Sequence, residues 1–234
     1  MAERKSNRRK KMEPVALPEK EVSPSAPELP KEEKRKVYPT TVVSIGWESL
    51  NTKRRVNEEL KEEIAELFYS VQKKPSSQIS NIQELIEKYP DIQIFQAFLL
   101  LAYIMEDDPK AIEVATSLGK KYPDYMFGKI GYIESCILKG EFESVQKYVD
   151  DKYDFRMLFP EKGSFHIFEV LHFHFTMGRY FALTGQAEMA NSYVKEIKSF
   201  DEESGLIKKL QKDIDKGSGV KFYQKIFRRF KKES

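Results

Sequence analysis

From Val56 onward the apolar residues recur at helical spacing: Val56, Leu60, Ile64, Leu67, Phe68 and Val71 share one face, and Glu58, Glu59, Glu62, Glu63 and Glu66 take most of the remainder. This predicts a helix over 56–73 that Lys74-Pro75 ends. Ser76 or Ser77 then offers a side-chain cap for a second helix carrying Ile79, Ile82, Leu85, Ile86 and Tyr89, which Pro90 stops. The same pattern predicts helices over 92–105 and 109–121, then 125–139 and 142–151. After an interruption at 153–164 it predicts 165–184 and 187–199, with one further amphipathic helix at 203–215. The fold class is all-α: four antiparallel helix pairs followed by C-terminal helices.

The ends depart from this pattern. Residues 1–36 combine Pro, Glu, Lys and Ser with almost no large apolar side chains, so they cannot bury enough surface to offset the entropy of ordering, and a disordered tail is expected. Residues 37–51, VYPTTVVSIGWESLN, are β-branched and contain the sole tryptophan, Trp47. They predict a short extended segment without a hairpin partner, one that docks on something else. Three regions follow: a tail at 1–51 with its docking segment at 37–47, a helical repeat domain at 52–216, and a C-terminal segment at 217–234.

Repetition is explicit. Leu85 to Asp91 reads LIEKYPD and Leu118 to Asp124 reads LGKKYPD, an offset of 33 residues. In MGRYFALTGQAEMANSYVKEI, from Met177 to Ile197, Gly178 supplies a small residue in the first helix and Phe181 an aromatic one turn on. Gly185 makes the turn, and Ala190 is the small contact in the second helix. Leu99, Leu100, Tyr103, Ala111, Ala115 and Pro123 take the matching places in the 92–123 unit, whose turn has no glycine; the 125–151 unit keeps Gly140 but has Val145 for the alanine. On these residues the chain resembles the tetratricopeptide repeat (TPR) family over about 160 residues. The resemblance implies an α-solenoid whose first helices line a concave surface that binds a peptide or protein.

In that register the concave wall consists of Ile94, Ala97, Leu101 and Ile104, then Phe127, Ile130, Glu134 and Ile137, then His172, Phe175, Arg179 and Ala182. It is mostly apolar and lacks the Lys and Asn set with which some family members hold a terminal carboxylate. Two readings stay open. A hydrophobic segment of a partner fills the groove, or the chain covers it with its own 37–47 stretch or a C-terminal helix, since an exposed apolar groove is a solubility risk.

Charge changes the picture at the two ends. The chain is net +3, but residues 1–36 carry +4 and 217–234 carry +5, which leaves −6 for the body. In VKFYQKIFRRFKK, from Val220 to Lys232, Phe222, Ile226 and Phe230 fall with Val220, Tyr223 and Phe227 on one half of a helical wheel, and Lys221, Lys225, Arg228, Arg229, Lys231 and Lys232 on the other. That separation fits a helix lying on an anionic membrane surface, or a cap burying its aromatic face on the last repeat. Arg8-Arg9-Lys10-Lys11 forms a second basic cluster without accompanying aromatics, so nucleic acid is not an indicated partner.

Candidate chemistry is sparse. His166, His172 and His174 are close in sequence, but an i, i+2 pair on a helix points about 200° apart and His166 to His174 spans about 12 Å, too far to share an ion. No phosphate loop, HExxH or paired-Cys motif accompanies them. Neither a catalytic site, a cofactor nor a metal is therefore expected. With Cys136 the sole cysteine and no secretory signal, a cytoplasmic setting is expected, peripheral to a membrane if the C-terminal helix binds one. The longest apolar stretch, Ile92 to Met105, has 14 residues, short of the roughly 20 that cross a bilayer.

Overall fold

A computed structural model describes residues 42–44, 47 and 56–217. The tail at 1–36, its Arg8–Lys11 cluster and the basic segment from Val220 to Lys232 lie outside the described residues. The described residues are mostly helical, with helices α1 (Glu58–Lys73), α2 (Pro75–Lys88), α3 (Gln93–Met105), α4 (Ala111–Lys121), α5 (Met126–Lys139), α6 (Phe142–Val149), α7 (Phe155–Leu158), α8 (Ile167–Leu183), α9 (Ala187–Phe200) and α10 (Gly205–Gly217). Strands β1 (Val42–Ser44) and β2 (Ser164–His166) form one short parallel pair.

Local chemistry sets the helix ends. Asn57 caps α1, its Oδ1 accepting from the Leu60 N–H at 3.0 Å. α2 starts at Pro75 rather than after a serine cap, because proline at the first helical position gives up no hydrogen bond and has its φ already set. Ser77 Oγ instead donates to the Lys74 carbonyl at 2.8 Å. The α5–α6 and α8–α9 turns use left-handed glycines, Gly140 at φ 74° and Gly185 at φ 79°. In the α3–α4 turn, which is longer than these two in the structure, the left-handed residue is Asp107, at φ 56°.

The two KYPD turns are neighbours in space, for Tyr122 Oη and Lys121 Nζ both donate to the Pro90 carbonyl, at 3.3 and 3.2 Å. The 33-residue echo thus marks two turns that touch in the fold. Between α4 and α5 the backbones nearly touch. A Cβ on Gly131 would lie 3.0 Å from the Ala115 carbonyl oxygen and the Gly119 nitrogen.

α3 packs against α1, α2, α4 and α5, which is why QIFQAFLLLAYIM is apolar on nearly every side. α8 is surrounded in the same way by α5, α9, α10 and both strands. The inner helices converge on an aromatic hub in which Phe68 of α1 stacks on Phe168 of α8 with ring centroids 4.3 Å apart. His172 is edge-on to Phe68, Phe98 and Phe127 at 5.7 to 6.1 Å. The extended segment near Trp47 docks within the chain: Val43 is opposite Phe165 in the parallel pair, and the indole meets His166 and Phe168 at 5.1 and 6.3 Å. The 153–164 interruption is accordingly not a plain loop, since it holds α7 and leads into β2.

Candidate functional site

The residues of the expected concave wall come together, but as interior. Ile94, Ala97, Leu101, Ile104, Phe127, Ile130, Glu134, Ile137, His172, Phe175, Arg179 and Ala182 are all at most 4% exposed. Between Ala97, Leu101, Ile130, Glu134, His172 and Phe175 there remains a void of about 10 Å³, room for one water molecule at most. No open groove runs along this wall in the described residues. Closure comes from the convergence of the first helices and from α10, whose Leu210 fills the space beside Gly178 and whose Gly217 lies against the Ala182 carbonyl.

The polar members of the wall explain how α10 is held. Arg179 of α8 donates to Glu134 Oε2 of α5 and, through Nε, to Asp213 Oδ2 of α10 at 3.1 Å. Thr176 Oγ1 donates to the other Glu134 oxygen at 2.8 Å. Asp213 Oδ1 is 3.6 Å from Lys209 Nζ, which donates to Asp107 Oδ1 at 2.5 Å. Asp107 Oδ2 meets Lys212 and Lys216 at 3.5 Å. Alternating charges therefore run from α5 through α8 and α10 to the α3–α4 turn. Burial opposes the charge on Arg179, yet the Glu134 and Asp213 carboxylates overcome it and raise its pKa. Burial likewise opposes ionisation of Asp107, and the lysines, Lys209 foremost, bring its pKa below the usual carboxylate value.

The histidines separate by role. His166 caps α8 in a capping box with Glu169: its Nδ1 accepts from the Phe168 N–H at 3.2 Å, and Glu169 accepts from the His166 N–H at 3.0 Å. Burial pushes His172 down to about 3 and His174 to about 4, so both are neutral near pH 7. Neither ring nitrogen of His172 has a hydrogen-bond partner among the described residues. No group of three or more His, Cys, Asp or Glu that could hold a metal ion gathers among those residues. Cys136 is buried beside Tyr132, with burial raising its pKa.

Sequence reasoning missed one solvent-open feature. A cleft of about 630 Å³ lies where the end of α1 meets the start of α10. Lys73, Lys208, Lys209 and Lys212 line it with Gln72, Met105, Glu203 and Gly205. The lysine spacing along 208–216 was visible, but that α1 closes the other side was not. The candidate surface residues Lys221, Lys225, Arg228, Arg229, Lys231, Lys232, Phe222, Ile226 and Phe230 lie outside the described residues. Among the described residues no helix is long and apolar enough to cross a membrane. Comparison with protein-family models, curated proteins and solved structures gives no match.

Proposed function

We propose that the chain is a non-catalytic, TPR-like adaptor of the cytoplasm, in which stacked helix pairs present a partner protein with a rigid outer surface. The observation that carries this reading is the burial of all twelve inner-wall residues to 4% exposure or less. An apolar wall so covered serves as core, which moves recognition to the solvent-facing sides of the helices. The 33-residue echo, the small contacts at Ala111, Ala115 and Ala190 and the glycine turns at 140 and 185 support the TPR-like assignment.

Hydrogen exchange of the full chain, alone and with a captured partner, tests the reading. New protection is expected on exposed faces, while α3 stays protected in both states. Faster exchange in α10 with partner contacts along Ile94 to Ile104 would show instead that the wall opens to receive a segment, and would overturn it.

A second reading rests on the segregated aromatic and basic halves of Val220 to Lys232. It makes the chain a peripheral membrane protein with the repeats as scaffold. Co-sedimentation with anionic vesicles at physiological salt, with and without residues 218–234, separates the two. Retention that disappears with the segment supports the membrane reading, and no retention of the full chain excludes it.

A further inference from the structure

The cleft between α1 and α10 is solvent-open and strongly one-signed. Four lysines line it against one acid, Glu203. Its volume of about 630 Å³ falls inside the range of small-ligand sites, roughly 300 to 1,000 Å³. Lys209 is the buried member, drawn into the α10 face by Asp107 and Asp213. Lys212 is 58% exposed at its side chain and shares Asp107 with Lys216. Lys73 and Lys208 are exposed, and neither has an ion-pair partner among the described residues. Spacing of i, i+4 puts Lys208 and Lys212 on the same side of α10.

The walls are fixed by the fold rather than by the lysines. Gly205 lets the start of α10 lie against the Gln72 carbonyl, where a Cβ would come within 2.5 Å of the oxygen. Ser204 Oγ donates to Gln72 Oε1 at 2.6 Å across the same junction. Gly205, the first residue of α10, thus borders the cleft. Asp107, on the α3–α4 turn and outside the cleft lining, shows that lysines of α10 gather on an anion, for it meets Lys209, Lys212 and Lys216. Among the described residues Lys73 and Lys208 remain without an anion.

We propose that this cleft binds a phosphate-bearing anion, held by Lys73 and Lys208 with help from Lys212. Lysine suits such a ligand as a mobile point charge, and several lysines share a group with more than one negative charge.

Calorimetric titration of the full chain with inorganic tripolyphosphate tests the proposal. The double variant Lys73→Gln, Lys208→Gln removes two exposed charges without touching a described ion pair. Its affinity is expected to fall about tenfold, whereas Lys221→Gln, Lys225→Gln leaves the same site intact. Vesicles bearing phosphoinositide headgroups form the second arm. Loss of vesicle binding in the cleft variant assigns the phosphate to a lipid headgroup, and loss confined to tripolyphosphate assigns it to a free anion. Absence of tripolyphosphate binding at millimolar concentration, or binding that the cleft variant does not weaken, overturns the proposal.

Discussion

His172 shows how one side chain joins burial to pH. It lies 4% exposed against Phe68, Phe98 and Phe127, with both ring nitrogens unpartnered among the described residues. Its folded pKa, about 3, is below the ordinary 6.5, so between these values the unfolded chain binds a proton that the folded chain refuses. Stability is therefore full above about pH 6.5 and declines as pH falls toward 3, by about 1.4 kcal/mol for each pH unit. His174, pushed down to about 4, adds to the same trend. Urea midpoints measured from pH 7 to pH 5 are expected to drop in the natural chain and to drop less in His172→Leu. A slope that His172→Leu leaves unchanged would place the linkage elsewhere. The sequence marked His172 as a wall residue but gave no sign of its neighbours, since Phe68 and Phe168 are brought together across 100 residues.

Among the elements, α10 is the informative one. Its amphipathic spacing was legible, and so were the spans of the helices before it apart from α7, whose single turn carries no periodic signal. The burial of its polar residues was not legible. Lys209 and Asp213 look like solvated positions until α8 supplies Arg179 and the α3–α4 turn supplies Asp107. The pairing of β1 with β2 was hidden for a related reason, because parallel strands have no turn between them to announce the partner. Removing one member of a buried ionic network leaves the others uncompensated. Arg179→Met is expected to cost about 3 to 5 kcal/mol, read as a loss in denaturant midpoint. The triple change Arg179→Met, Glu134→Leu, Asp213→Leu is expected to cost less than the single one. If it costs more, the network itself stabilises the junction beyond its own desolvation.

For the whole molecule, the inner wall and the aromatic hub are one interior shared by helices from both ends of the helical region 58–217. A chain ending after Ser204 lacks α10 and leaves the wall uncovered around Gly178, Arg179 and Ala182. Such a chain is expected to bind the dye ANS and to lose cooperative thermal unfolding, whereas the full chain shows neither effect. Retained cooperativity would mean that α10 is an accessory to the fold rather than part of its core. The neighbouring of the two KYPD turns could be read from their echo. The depth of closure could not, for it depends on angles between helix pairs that no local pattern encodes.

That closure also imposes an order in time on synthesis. α3 leaves the ribosome about 60 residues before α8 begins, a delay of roughly 3 to 12 s at 5 to 20 residues per second. Through that interval the nascent chain displays Gln93 to Met105 with no inner partner from α8, so each newborn copy passes through a sticky stage that the finished protein never shows.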